Sequence, residues 1–162
     1  MWIAFCLLLP NNKLPNNKKI NTLYIIKMEP FKVIIVEDVA LEMKGTKEIF
    51  RSEIPEAEII GSAQNETELW RLLNTNLPDL VLLDIMLPKH DGYYFCTEIR
   101  KTSSVPIIFI SSASENMNIV MAMNMGADDF IAKPFDTSML MAKMQALLRR
   151  TYDFDGAMPV LE

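Results

Sequence analysis

The sequence contains few of the residues that build disulfide frameworks and soft-metal sites. Its 162 residues include two cysteines and one histidine, and neither cysteine lies in a Cys-x-x-Cys pair or beside the histidine. Cys6 and Cys96 therefore do not indicate a disulfide framework. His90 lacks partner His or Cys residues and is left out of the candidate site. Two isolated thiols favour a reduced, cytoplasmic protein.

Positive charge is scarce outside the first 27 residues. The net charge of −5 divides into +4 from the four lysines of residues 1–27 and −9 from the rest of the chain. An acidic body repels phosphate backbones, and no basic stripe follows residue 27. We therefore expect no nucleic-acid binding by this chain alone.

The chain also lacks an apolar run long enough to cross a membrane. Its first segment, MWIAFCLLLP, is shorter than the roughly 20 residues of a spanning helix and has no basic region before it. Residues 11–27 are rich in Asn, Lys and Ile and show no periodicity, and Met28 stands directly before the first strand pattern. Residues 1–27 are thus predicted to be an unstructured or non-native extension. A short membrane-surface peptide is the alternative.

From Met28 onward, short apolar runs alternate with longer helical patterns. This alternation predicts an α/β fold in which helices cover both faces of a five-stranded parallel sheet. The predicted strands are 31–37, 57–63, 79–84, 105–111 and 129–132, and the predicted helices are 39–52, 65–75, 91–101, 115–125 and 136–150. Residues 28–150 are expected to form one domain. Residues 151–162 have no helical pattern and are predicted to begin a linker to an effector domain that is missing from this chain.

Polar residues of complementary chemistry follow the predicted strands. Glu37 and Asp38 follow the first strand, Asp84 ends the third, Ser111 ends the fourth and Lys133 follows the fifth. The carboxyl ends of parallel strands meet at one edge of a sheet, so these groups are expected to converge. Strand-end acids can simply cap the next helix, but five such residues at one edge favour a Mg²⁺-dependent phosphoryl-transfer site. Asp84 would be the nucleophile, and Lys133 and Ser111 would stabilise the phosphoryl oxygens.

Four segments, VIIVED, LVLLDIMLPKHDG, PIIFISS and GADDFIAKPF, resemble the signature segments of response-regulator receiver domains. The resemblance spans about residues 31–150 and implies the flavodoxin-like receiver fold, with sheet order 2-1-3-4-5 and a cis peptide before Pro134. It implies that Asp84 is the phosphoacceptor and that the backbone carbonyl of Met86 completes the metal site formed with Glu37 and Asp38. It also makes Ser111 and Phe130 the switch residues and places Lys133 against the phosphoryl group.

Residues 93–101 and 120–152 are most similar to the winged-helix transcriptional subgroup that responds to antimicrobial peptides such as bacitracin. The resemblance implies a sensor histidine kinase as partner and a homodimer through the fourth helix, fifth strand and fifth helix. DNA would be bound only through the missing C-terminal domain. Two charge pairs of such a dimer are kept, Asp129 with Lys143 and Asp128 with Arg149, while Ile119 and Met139 replace a third. Those two apolar residues would lie either in the core or in the interface.

Three other functions fit the sequence less well. A Mg²⁺-dependent aspartyl phosphatase of the haloacid-dehalogenase type needs a second acid two residues after its nucleophile, where this chain has Met86. A flavodoxin-like cofactor binder needs a Gly-rich or hydroxyl-rich phosphate loop, which EDVALEMKG does not supply. A pseudo-receiver that is never phosphorylated would not need all five site residues. We therefore predict no enzymatic activity beyond the chain's own phosphoryl transfer and autodephosphorylation.

Overall fold

The structure, a computed structural model, describes residues 30–112 and 116–152. Five strands alternate with five helices in the order predicted. The strands are β1 (Phe31–Val36), β2 (Ala57–Ala63), β3 (Leu80–Leu83), β4 (Ile107–Ser111) and β5 (Asp129–Ala132). The helices are α1 (Ala40–Glu53), α2 (Glu66–Thr75), α3 (Gly92–Arg100), α4 (Asn116–Asn124) and α5 (Thr137–Tyr152). None of the helices in this described part of the chain has the length and apolarity needed to cross a membrane.

All strand pairs are parallel, and the sheet order is β2-β1-β3-β4-β5, which confirms the predicted fold. The order places β1 and β3 next to each other at the centre, although β2 and α2 separate them along the chain. Val36 pairs with Leu83 in that central register, so the residues that follow these two strands start from the same level of the sheet. In an open parallel sheet, ligands bind and catalytic residues lie at this carboxyl end of the strands.

The sheet divides the apolar core into two clusters, one on each face. One cluster combines residues of β1, β3, β4 and β5 with Met43 and Phe50 of α1 and with Leu140 and Met144 of α5. The other combines the alternate strand residues with apolar side chains of α2, α3 and α4. Strands buried on both faces explain why the sequence shows continuous Val, Ile and Leu runs instead of polar alternation.

Local hydrogen bonds define several helix ends. The Asn65 side chain accepts the Glu68 N–H at the start of α2, and the Asp91 side chain accepts the Tyr94 N–H at the start of α3. Asp136, directly before α5, accepts the N–H groups of Ser138 and Met139. Gly126 follows α4 with a φ of 98°, as expected for a glycine that closes a helix.

The last helix runs two residues beyond its predicted end. Thr151 and Tyr152, the first two residues of the predicted linker, continue α5. The Thr151 hydroxyl donates to the Leu147 carbonyl at 3.0 Å, and the Tyr152 hydroxyl donates to the Asp79 carbonyl at 3.2 Å. The second contact lies between residues far apart in sequence and has no local signal. The remainder of the predicted linker, residues 153–162, and the predicted extension up to residue 29 lie outside the described residues.

Candidate functional site

The structure brings four of the predicted site residues together at the carboxyl edge of the sheet. Glu37 follows β1, Asp84 follows β3, Ser111 ends β4 and Lys133 follows β5. The two carboxylates and the hydroxyl are buried, with Glu37 at 4%, Asp84 at 5% and Ser111 at 0% exposure. Two buried carboxylates in one site require positively charged or hydrogen-bonding partners, because an unpaired buried charge is costly.

Lys133 supplies that compensation. Its ammonium donates to Asp84 Oδ2 at 2.8 Å and to Glu37 Oε2 at 2.5 Å. It also donates to Glu42 Oε2 at 2.5 Å. Burial acts against the charge on Lys133, but hydrogen bonds to the three carboxylates outweigh burial and raise the pKa of Lys133 above its ordinary value. The lysine is therefore a fixed positive charge beside Asp84. The Lys133–Pro134 peptide is cis, as the resemblance implied.

The carboxylate of Asp84 has hydrogen-bond donors on both oxygens. Met86 N donates to Oδ1 at 3.1 Å, and Lys133 donates to Oδ2. Burial raises the pKa of Asp84, but hydrogen bonds from Lys133, Ser111 and Met86 outweigh it, so the pKa lies below its ordinary value. Burial raises the pKa of Glu37 above its usual range despite the same lysine. Asp84 is thus held as the ionised acid, which a nucleophile requires.

The donor set fits a hard divalent cation. Carboxylate oxygens of Glu37, Glu42 and Asp84 lie within 4.8 Å of one another. Asp38 Oδ1 is buried and has no hydrogen-bond partner among the described residues. An orphaned carboxylate oxygen beside other acids is costly unless an ion or water binds it, and Mg²⁺ prefers oxygen ligands. The residues present therefore fit the Mg²⁺ that the sequence predicts.

Sequence reasoning missed Glu42. This residue lies in the first turn of α1, where acidic residues are common because they complement the helix dipole. Its sequence position alone therefore does not distinguish a site residue from an ordinary helix-start acid. Only the contact with Lys133, which is 91 residues away along the chain, brings Glu42 into the site.

The two predicted switch residues are both buried. Ser111 is fully buried at the end of β4, and Phe130 in β5 is 7% exposed and belongs to the core cluster that faces α2, α3 and α4. Burial of the ring does not by itself mark the phosphorylated state, and the coupling of Ser111 to Phe130 stays a prediction.

The acids predicted for dimer salt bridges have partners within the chain. Asp129 Oδ1 accepts from Lys143 Nζ at 2.5 Å. Asp128 Oδ2 accepts from Arg100 Nη2 at 2.7 Å and from the Ile107 N–H at 2.8 Å. Arg149, the partner predicted for Asp128 across a dimer, is exposed. An intermolecular bridge would therefore have to replace or share existing bonds.

The two apolar candidates for the interface differ from each other. Ile119 in α4 is half-buried and packs against the core cluster on that face of the sheet. Met139 in α5 is 55% exposed. The core alternative therefore accounts for much of the Ile119 side chain but not for Met139, and the interface stays a prediction.

A family model for the response regulator receiver domain matches residues 33–145. The chain belongs to this family. Response regulator protein GraR from Staphylococcus haemolyticus is 52% identical over 77 residues, which cover 48% of this chain and 34% of that protein. The chain thus spans about a third of the length of the curated relatives it matches.

Solved receiver domains agree with this assignment. The N-terminal domain of the nisin resistance regulator NsrR, a lantibiotic response regulator, is 40% identical with a TM-score of 0.64, over 75% of this chain and 100% of that one. A two-component response regulator from Clostridium difficile is 30% identical with a TM-score of 0.69, over 75% of this chain and 98% of that one. The lantibiotic regulator among these similar proteins supports the antimicrobial-peptide subgroup that the sequence resembles.

Proposed function

We propose that this receiver domain is phosphorylated on Asp84 by a sensor histidine kinase in a Mg²⁺-dependent reaction. Phosphorylation would switch dimerisation through α4, β5 and α5 and so control a DNA-binding transcriptional effector domain. The observation that carries the proposal is a buried Asp84 with Lys133 on one oxygen and with carboxylate oxygens of Glu37 and Glu42 within 4.8 Å. A cytoplasmic location is part of the proposal, as is the division into an N-terminal extension, residues 1–27, and one receiver domain that begins at residue 28 and includes α5 up to Tyr152.

The side chains divide the chemistry among them. An oxygen of Asp84 attacks the phosphorus, and the bond from phosphorus to the kinase histidine nitrogen breaks, leaving its electron pair on the imidazole. Lys133 and Ser111 donate hydrogen bonds to the transferred phosphoryl oxygens. Glu37, Asp38, Asp84 and the Met86 carbonyl would hold Mg²⁺, which supplies positive charge against the phosphoryl oxygens when bound. The result is an acyl phosphate on Asp84.

The aspartyl phosphatase alternative lacks its general acid. Met86 occupies the position two residues after Asp84, and its apolar side chain is 63% exposed. A methionine cannot donate a proton to a leaving group. The pseudo-receiver alternative leaves unexplained why Lys133 and Ser111 both converge on Asp84.

Acetyl phosphate with Mg²⁺ tests the proposal directly. Intact-mass spectrometry of the wild-type chain is expected to show one added phosphoryl group, and the Asp84→Asn variant is expected to show none. Asp79→Asn is the matched control, because Asp79 lies at the opposite end of the same strand and binds the Lys32 N–H at 2.7 Å. This control is expected to be labelled like the wild type.

Each alternative gives a different result in that experiment. A wild-type chain that stays unlabelled in Mg²⁺ would indicate the pseudo-receiver. Labelling of Asp84→Asn would show that another residue accepts the phosphoryl group. Steady multiple-turnover hydrolysis of unrelated phosphomonoesters would indicate the phosphatase. Loss of labelling on chelation of Mg²⁺ is expected for the receiver.

A further inference from the structure

Glu42 is the site residue that lies outside the segments resembling the family. It is in the first turn of α1, and its side chain is 44% exposed while that of Lys133 is 14% exposed. The ion pair between them therefore joins an accessible carboxylate at the rim to an ammonium inside the site. Glu42 therefore binds the Lys133 ammonium from the solvent side of the site.

The hydrogen-bonding capacity of Lys133 is filled by carboxylates. An ammonium has three N–H donors, and Lys133 donates to one oxygen each of Glu37, Glu42 and Asp84. Phosphorylation would turn the Asp84 carboxylate, with a charge of −1, into an acyl phosphate with a charge of about −2, and it would add further acceptor oxygens beside this ammonium. Lys133 can donate to those oxygens only if an existing acceptor gives up an N–H.

The three acceptors differ in how readily water can replace the lysine. The side chains of Glu37 and Asp84 are 5% and 6% exposed, whereas Glu42 reaches solvent. A buried carboxylate that loses its donor pays a desolvation cost, while an exposed one can be hydrated instead. Of the two acceptors that remain carboxylates after Asp84 is phosphorylated, Glu42 is therefore the one that exchanges at the smaller cost.

We propose that Glu42 is a positioning residue that holds the Lys133 ammonium in the unphosphorylated site and competes with the phosphoryl group for it. The inference rests on the proposed phosphorylation of Asp84 and adds a residue to that site. Its negative charge acts in opposite directions on the two ligands of the site. Glu42 attracts a divalent cation, since its oxygen lies within 4.8 Å of those of Glu37 and Asp84, and it disfavours an anionic phosphoryl group.

The Glu42→Gln variant of the full chain tests this opposition, because it keeps the size of the side chain and removes its charge. Glu53→Gln is the matched control. Glu53 ends the same helix, is exposed, and lies about 16 Å further along the axis on nearly the same face, beyond the Debye length at physiological salt. Both variants change the net charge equally.

Two binding measurements are made on each protein. Calorimetric titration with Mg²⁺ alone is expected to show an affinity about three- to fivefold weaker for Glu42→Gln, the range of a partly exposed charge contact. A ¹⁹F NMR titration with beryllofluoride, which mimics the phosphoryl group on Asp84, is done with Mg²⁺ saturating for each variant. The affinity for beryllofluoride is expected to be about three- to fivefold tighter in Glu42→Gln than in the wild type. In Glu53→Gln, the affinities for Mg²⁺ and for beryllofluoride are both expected to be unchanged.

A weaker affinity for Mg²⁺ together with a tighter affinity for beryllofluoride distinguishes a positioning role of Glu42 from a structural one. A disturbed fold would weaken both ligands, and a bystander ion pair would change neither, so either result overturns the inference. Equal shifts in Glu53→Gln would also overturn it, because they would arise from net charge. A wild-type chain that binds no beryllofluoride and accepts no phosphoryl group would instead overturn the proposed function on which the inference rests.

Discussion

At the scale of single residues, the site combines groups with local signals and groups without them. Asp84 and Lys133 each follow an apolar strand, so their residue type and their position in the sequence predict a role in the site. Glu37 and Asp38 have the same signal after β1, whereas Glu42 has only the signal of an ordinary first-turn acid. Contacts between distant segments therefore decide which local candidates belong to the site.

Cys96 gives a prediction at the same scale. The residue is fully buried in α3, and its thiol donates to the Met125 carbonyl at 3.4 Å. Burial raises the pKa of Cys96 from 9.0 to about 11, so the thiolate population near pH 8 falls about a hundredfold. In a Cys6→Ser variant, which leaves Cys96 as the single thiol, Ellman's reagent is expected to react at least about a hundred times more slowly than in denaturant. Rapid labelling of the native protein would contradict this.

At the scale of elements, the start of α3 must pass close to the phosphoacceptor. A Cβ on Gly92 would lie 2.2 Å from the Asp84 carbonyl oxygen and 2.7 Å from the Phe109 ring. The Gly92 N–H also donates to the Ile85 carbonyl at 2.9 Å, which closes the loop after β3. The absence of a side chain at this position therefore allows α3 to begin directly under the site.

Gly92→Ala is expected to destabilise the fold by about 1–3 kcal/mol, because backbone at the end of β3 must shift to admit the methyl group. Gly45→Ala is the control. Gly45 lies within α1 with nothing within 4 Å of its added Cβ, so alanine there is expected to stabilise by about 0.5–1 kcal/mol. Urea denaturation of the two variants and the wild type measures both changes in the free energy of unfolding. A Gly92→Ala variant as stable as the wild type would show that the loop adapts freely.

At the scale of the whole molecule, self-association should depend more on apolar contact than on ion pairs. Asp129 and Asp128 already have partners within the chain, so bridges across a dimer would add little. Met139 and the α4 residues Met117 and Val120 are each more than half exposed. Exposed ion pairs contribute about 0–1 kcal/mol, whereas burying an apolar side chain contributes about 1.5–3 kcal/mol.

We therefore predict a symmetric dimer that phosphorylation of Asp84 strengthens and that salt weakens little. Sedimentation of the beryllofluoride form at low and high salt measures it. Met139→Lys is expected to weaken the dimer, whereas Leu77→Lys, which changes an apolar residue that is 87% exposed before β3, is expected to leave it intact. A monomer at both salt concentrations, or a dimer that high salt dissociates, would show that the interface is wrong or electrostatic.

The sequence by itself determined the fold class, the order of elements and most of the site. Apolar runs identify strands because a parallel sheet is buried on both faces, and strand ends identify the site because parallel strands share one edge. These two rules predict the positions of Asp84, Lys133 and Ser111 in the site. The resemblance to receiver domains adds the sheet order. The departures within the helices are local, since helix ends differ from the predicted ones by at most one residue except where Thr151 and Tyr152 extend α5 by two.

Only the tertiary structure decided which polar and charged groups pair. Lys133 contacts Glu42 as well as Asp84, Asp128 is bound by Arg100, and Tyr152 reaches Asp79. Each contact joins residues at least 28 positions apart, so it depends on how helices pack on the sheet and leaves no periodic pattern in the chain. Electrostatic pairing acts over a few ångströms, and distances of that size are set by packing, not by spacing along the sequence.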